Sequence, residues 1–327
     1  MARTTRAAVA LTFAAALALT ACGNDDGGQV TNLGSETGSA SGSGAGSGSG
    51  SGSGSGLGSD LQQDTDNAKV AEAVEQYQAY VQEQAETMAT ATTTFTDAVR
   101  AGDLKAAQQA YAPSREPWER IEPIAGLIEE LDGRMDARVD DFESPTDEEF
   151  TGWHRLEYLL FEKETTDGAK KFADQLDEDV ATLQDKLGSL EIPAAAVPVG
   201  ASELIDEVSM GKITGEEDRY SQTDLWDLGA NVEGSKKAFD LLTPALKEAD
   251  PDLASKITDQ FAEVEETLAP LKDGDGWKLY CLEGGEYNTQ CGDTITVDTT
   301  TKDQLQSQTQ ALAENLSQMA GALGLES

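Results

Sequence analysis

Val70-Ala-Glu-Ala-Val-Glu-Gln-Tyr-Gln-Ala-Tyr-Val81 returns to an apolar side chain every three or four positions, at Val70, Val74, Tyr77 and Val81, with Glu, Gln and Ala between. A strand would alternate with period two, whereas a helix of 3.6 residues per turn gathers these four on one face. The spacing therefore predicts an amphipathic helix within Asp66 to Arg100. The same spacing recurs from Asp103 through Leu131, Thr146 to Glu164, Gly168 to Leu190, Ala201 to Met210, Thr223 to Ala249, Pro251 to Leu271 and Thr301 to Leu323, with Gly or Pro at the breaks. Pro113, Pro117 and Pro123 punctuate the second run, which is expected to begin anew near Ser114 or to bend there. Helices with connections this short form antiparallel bundles, so the fold class is all-α. The Pro- and Ala-rich stretch Ile192 to Gly200 marks the seam between a first bundle of about 66–191 and a second of about 200–327.

Ahead of the helices, Arg3 and Arg6 precede an apolar run, Ala7 to Ala18, that is too short to span a bilayer comfortably. Leu19-Thr-Ala-Cys22 follows in the pattern of a lipobox, so residues 1–21 read as a lipoprotein signal peptide and Cys22 as the lipidated first residue of the mature chain. An ordinary secretory signal with a chance cysteine is the alternative, and either implies export. Residues 22–65, almost entirely Gly and Ser from Gly34 to Ser59, have too few apolar side chains to offset the entropy of ordering them. They read as a disordered tether of root-mean-square span on the order of 30 Å. With no second apolar run long enough to span a membrane, the lipid is the one evident anchor, on the outer face of the cytoplasmic membrane at the cell surface or in the periplasm.

The chain has 61 acidic against 23 basic residues, a formal charge of −38 over 327 residues. Nucleic acid is excluded as a partner, since phosphate binding needs basic patches. An acidic surface keeps a protein soluble and concentrates cations, although most charge runs are simply solvated faces. Besides Cys22 there are only Cys281 and Cys291, an even pair that suits a disulfide in an oxidising compartment. A zinc site from this pair would need further Cys or His nearby. Trp277 to Val297 reads as a stapled loop or hairpin, in which Thr294 to Asp298 alternates like a short strand. Asp273-Gly-Asp-Gly276 resembles part of a calcium loop but lacks the Glu at the twelfth position, and reads as a turn.

His154 is the only histidine, which removes every site that needs two imidazoles, and no G-x-S-x-G elbow or Gly-rich phosphate loop occurs. Trp153-His-Arg-Leu-Glu157 puts His154 and Glu157 three apart, on one helix face, where both can reach one ion. A solvated surface pair has the same spacing. Glu119 and Glu122 repeat it on the preceding helix, Asp136 and Asp140 lie between, and Glu216, Glu217 and Asp218 precede Tyr220. One imidazole among several carboxylates is a hard, oxygen-rich set suited to iron, with copper, zinc and manganese as competitors.

Three separated stretches carry a family resemblance. Tyr111-Ala-Pro-Ser-Arg115 with Trp118-Glu-Arg-Ile-Glu-Pro123, then Gly152-Trp-His-Arg-Leu-Glu157-Tyr-Leu-Leu-Phe161, then Asp224-Leu-Trp-Asp-Leu-Gly-Ala-Asn-Val-Glu-Gly234, resemble in order the EfeO and imelysin-like family. The likeness covers most of residues 67–327. It implies two antiparallel four-helix bundles with a metal site in the cleft between them, and a non-enzymatic protein that binds Fe3+ or Fe2+ beside an iron permease and a haem peroxidase-like partner, in an EfeUOB-type uptake system. By the same resemblance His154 and Glu157 are the signature metal pair and Glu119, Glu122, Asp136 and Glu217 are acids lining the site. Glu216 competes with Glu217 for that place. A metallopeptidase of imelysin type and a binder of acidic polysaccharide are the alternatives, the second opposed by the negative charge. Longer members of the family carry a cupredoxin domain where this chain has only tether, and the Cys281 to Cys291 segment does not map onto the quoted motifs.

Overall fold

The computed structural model describes residue 57 and residues 61–325, so the signal segment 1–21, Cys22 and the Gly/Ser stretch lie outside the described residues. Helix α1, Ala68–Ala101, starts where the Asn67 side chain accepts from the Lys69 amide at 3.0 Å, and stops at Gly102, whose φ of 73° only glycine adopts without strain. Asp103 caps α2, Leu104–Ile121, in the same way by accepting from the Ala106 amide at 3.0 Å. Pro113 and Pro117 lie inside α2 and do not break it, contrary to the expected restart near Ser114. The lost N–H bonds, roughly 3 kcal/mol per proline, are offset because Tyr111, Trp118 and Ile121 on that helix are fully buried. The break falls instead beside Pro123, in a 3-10 turn over Glu122–Leu127.

The first bundle continues with α3, Glu129–Met135, α4, Gly152–Glu157, a π-helical turn over Tyr158–Glu162, and α5, Lys170–Leu187. The helix expected from Thr146 thus begins only at Gly152. There φ is 75°, and a Cβ would overlap the Met135 carbonyl, so a glycine is required for α4 to start against the end of α3. The second bundle holds α6, Ala196–Met210, α7, Asp224–Ala249, α8, Pro251–Leu268, and α9, Thr299–Leu316, followed by the single turn α10, Met319–Ala322. Helix α6 begins inside the Pro- and Ala-rich seam. Pro198 falls in its first turn, where the backbone N–H groups have no partner in any helix. No helix among the described residues is long and apolar enough to cross a membrane.

The two bundles meet along α2 and α7 and where α6 crosses the 3-10 turn. Glycines set the spacing: a Cβ on Gly234 of α7 would overlap the Arg120 carbonyl, and one on Gly200 of α6 would overlap that of Pro123. The last residues before α1, assigned to the tether by composition, pack on this same region. Leu57 and Leu61 are buried, and the carbonyls of Gln62 and Gln63 accept from the Ala195 and Ala194 amides at 3.2 and 3.1 Å.

Between α8 and α9 lies a lobe with almost no regular structure. Lys272–Asp273 (β1) pairs with Gly276–Trp277 (β2), so Asp273-Gly-Asp-Gly276 is the turn of a two-residue hairpin. Trp277 sits over Gly229 of α7 and Trp226 over Gly276, which fixes the hairpin to that helix. Beyond it, Cys281 and Cys291 form a disulfide with Cα atoms 5.6 Å apart. The strand expected at Thr294 to Asp298 reduces to one bridge, Leu282 with Val297.

Gly234→Ala is expected to lower stability by about 3 kcal/mol through overlap at the α2–α7 contact. Gly133→Ala, where a Cβ meets nothing within 4 Å, should raise it by about 0.5–1 kcal/mol through helix propensity. Urea unfolding of the two variants measures both, and equal midpoints would show that the close approach does not govern the seam.

A candidate metal centre at the seam

Three parts of the chain converge where the bundles meet. Helix α2 presents Tyr111, Arg115 and Glu119 at four-residue intervals on one face, with Glu122 just beyond. Asp136 ends α3, and His154 and Glu157 lie one turn apart on α4. From the second bundle come the segment 211–223, with Lys212, Glu217 and Asp218, and the first turns of α7, with Asp224, Asp227 and Asn231. All of these side chains are buried, the most exposed being Glu122 at 6%.

Arg115 is the hub. Its guanidinium donates to Asp136, to Glu119 at 2.5 Å, to Glu217 at 3.2 Å and to Asp227 at 3.3 Å. Lys212 donates to Glu119 at 3.0 Å and to both oxygens of Glu122 at 2.9 and 2.8 Å. Asn231 bonds the same two glutamates at 3.0 and 2.7 Å. Arg138 donates to Glu217 at 2.5 Å, and the Trp118 indole to Asp136 at 2.9 Å.

His154 stands between two groups of carboxylates, one at each ring nitrogen. Nε2 lies 3.5 Å from Asp136 and 3.6 Å from Glu217, and Nδ1 lies 3.2 Å from Glu157 and 3.8 Å from Asp218. In each group the three potential ligand atoms fall within 4.8 Å of one another, the spread a single ion can bridge. Glu157 is oriented by donors on its other oxygen: the amides of Tyr220 and Ser221, each at 2.8 Å, and the Ser221 hydroxyl at 3.0 Å. The Tyr111 hydroxyl donates to Asp218 at 2.8 Å.

Of the residues singled out in the sequence, Asp136, His154, Glu157 and Glu217 come together directly. Glu119 and Glu122 form an adjoining row around Lys212. Register does not separate Glu216 from Glu217, but the fold does: Glu217 turns inward, while the Glu216 side chain is 32% exposed beside Arg138. Asp140 is on the surface, paired with Arg219. Asp218, singled out beside Glu216 and Glu217, comes in with Glu217, whereas the acids Asp224 and Asp227 and the cations Arg115, Lys212 and Arg138 are not among the predicted site residues. Arg115, Asp224 and Asp227 stand inside the quoted motifs, so a signal was present for them. For Lys212, in a short turn, no spacing rule applies.

The charges do not balance. Among the described residues, the eight acids Glu119, Glu122, Asp136, Glu157, Glu217, Asp218, Asp224 and Asp227 gather around four basic side chains, Arg115, Lys212, Arg138 and His154. Asp224 and Asp227 each keep one buried oxygen that accepts no hydrogen bond. Burial and the neighbouring charge of Asp218 push the carboxyls of Asp224, Asp227 and Glu157 up, and burial does the same to Glu122. Burial also acts on Glu217 and Asp136, but there the cations win: Lys212 and Arg138 hold Glu217 well below the usual range, and Arg115 and His154 hold Asp136 down. At His154, burial and Arg115 oppose the charged ring, yet hydrogen bonds to Asp136, Glu157 and Glu217 outweigh both and hold its pKa well above the ordinary value. A site in this state stores protons that an incoming cation would displace.

The metal-free chain should therefore keep His154 protonated at neutral pH. Because its folded pKa is raised, the stabilisation from the charged ring is complete below about pH 6.5, the unfolded value, and is lost as pH rises through the folded pKa. A single histidine gives a single imidazole resonance, so an NMR titration reads this directly; an ordinary midpoint near 6.5 would contradict the charge arrangement.

The chain matches the family model described as imelysin (peptidase M75) over residues 73–319. It is 46% identical over 256 residues to the iron uptake system component EfeO of Escherichia coli strain K12, and equally to that of Shigella flexneri; the aligned part is 78% of this chain and 64% of each relative. The chain thus spans a little under two thirds of the length of these relatives. The family model covers the helical body from Ala73 in α1 to Met319 at the start of α10, and with it every side chain of the buried centre: the chain belongs to the imelysin family.

Proposed function

We propose that this chain captures iron outside the cytoplasmic membrane and passes it to a membrane permease. The observation that carries the reading is the surplus of buried carboxylates around a single imidazole, a set of hard donors with too few cations of its own. The similarity to proteins named as iron uptake components supports the same cargo. His154 with Asp136 and Glu217, or with Glu157 and Asp218, would hold the ion. Glu119 and Glu122 would add negative charge from the adjoining row. Oxygen donors of this kind favour Fe3+ or Fe2+, and copper, zinc or manganese would compete according to geometry. Loading requires His154 to surrender a proton, so affinity should fall as pH drops.

The proposal includes the chain's setting. A signal peptide ending at Ala21, a lipid on Cys22 and a Gly/Ser tether would keep the body at the membrane surface, beside a permease and a haem peroxidase-like partner of EfeUOB type. The family description also carries a peptidase label. The centre favours an ion over a polymer, because none of its converging side chains is exposed by more than 6%. A polypeptide or polysaccharide would need a surface that these residues do not offer.

Calorimetric titration with chelated Fe3+, Fe2+, Cu2+ and Zn2+ tests the reading. Iron should bind with proton release, and His154→Ala or Glu157→Ala should weaken binding by roughly 100-fold or more, since loss even of outer-shell partners costs ten- to 100-fold. Far-ultraviolet circular dichroism should report unchanged helicity. Equal iron affinity in wild type and both variants would refute the site, and absence of binding by any of the four ions would refute the function.

A further inference from the structure

The disulfide lobe lies directly behind the segment 211–223. That segment works on two sides. Its inner side supplies Lys212, Glu217 and Asp218 to the buried centre, and its Tyr220 and Ser221 amides orient Glu157. Its outer side is fastened to the lobe at several points. Tyr280, buried, donates its hydroxyl to the Ile213 carbonyl at 2.7 Å and packs its ring beside Gly215, while Arg219 stacks over Tyr287 at 4.9 Å.

The firmest fastening is Gln222. Its carbonyl accepts from the Tyr280 amide at 2.8 Å, its side-chain oxygen accepts from the Gln290 amide at 2.6 Å, and its side-chain nitrogen donates to Thr289 at 3.4 Å. Tyr280 and Gln290 each precede a cysteine of the Cys281–Cys291 bridge, so the covalent link sets the distance between the two amides that grip this one residue. Gln222 has φ of 55°, a left-handed conformation uncommon for a residue with a side chain, and it directly follows the two amides bound to Glu157. Such a conformation persists where surrounding contacts over-determine it.

We propose that Gln222 is a positioning residue and the Cys281–Cys291 lobe its clamp, together holding the segment 211–223 against the metal centre and setting the rate at which the ion leaves. The centre is sealed, so an ion can depart only when one wall moves. The segment 211–223 is a wall with no α-helix, only the 3-10 turn Lys212–Thr214, and the lobe fastens it from behind. This rests on the reading of the centre as an iron site, but its mechanical part does not need the metal.

The test compares the full chain with Gln222→Gly and with the Cys281→Ser, Cys291→Ser double variant. Glycine accepts the backbone angle while deleting the side-chain bonds to Gln290 and Thr289 and the one donated within the segment to the Arg219 carbonyl at 2.6 Å, so the double cysteine variant reads the lobe's own share. Transfer of Fe3+ from the loaded protein to an excess of external chelator should be about fivefold faster or more in both variants, since a net hydrogen bond is worth about 1 kcal/mol. Hydrogen exchange of the Tyr220 and Ser221 amides in the metal-free proteins should accelerate, with α1 and α7 unaffected. Unchanged release and unchanged exchange in Gln222→Gly would overturn the proposal, and this variant decides the matter even if the double variant fails to fold. Wild-type protein that takes up no iron, yet shows the faster exchange in the variants, would remove the iron reading and leave the clamp standing.

Discussion

The buried Arg115 guanidinium is the interaction on which the seam depends. It reaches carboxylates from α2, from the end of α3, from the segment 211–223 and from α7, so one planar group ties together parts of both bundles. Its five donors in a fixed fork suit this task in a way a lysine would not. Buried ion pairs rarely add net stability over apolar packing, because desolvation cancels much of the attraction. A network of this density is therefore weak evidence of a device for holding helices together, and is consistent with the proposed role in binding an ion. The apolar core on either side, with Tyr77, Met88, Phe95 and Leu183 in the first bundle and Phe239, Ile257, Phe261 and Leu312 in the second, supplies the stability the centre draws on.

How much of this was legible in the chain varies with the physics involved. The stripe Val70, Val74, Tyr77 and Val81 predicts a helix, and three of its four residues are buried in the core while Val74 packs against it. Periodicity works there because burial of one face is what makes the helix. It fails at Pro113 and Pro117, where a local rule about missing N–H groups is overridden by packing around Trp118. It fails again between Thr146 and Thr151, where Phe150 is the one apolar residue and the helix starts only once Gly152 has brought the chain against Met135. The pair His154 and Glu157 could be read from spacing alone, since both stand on one short helix. Which carboxylates join them could not, because Asp136, Glu217 and Asp218 arrive from separate segments whose approach is settled by the glycine contacts at Gly200 and Gly234.

The centre also shows why a buried site can be acidic without being unstable. Glu217 and Asp136 stay ionised beside fixed cations, whereas Glu122, Asp224 and Asp227 are pushed toward the neutral form. On the proposed reading, an ion would take over the charge that protons neutralise here. Lys212 plays the same part for the outer row, held well above its ordinary pKa by Glu119, Glu122 and Glu217 in spite of burial.

The docking of Leu57, Leu61, Gln62 and Gln63 has a mechanical meaning. A pull on the chain ahead of residue 57 would not fall on the first turn of α1. It would be taken by two backbone hydrogen bonds to Ala194 and Ala195 and by the packing of Leu57 against Gly126, beside the turn that joins α2 to α3. That anchorage lies close to where α6 crosses the 3-10 turn, so load would enter the molecule at the seam and act across it rather than along α1.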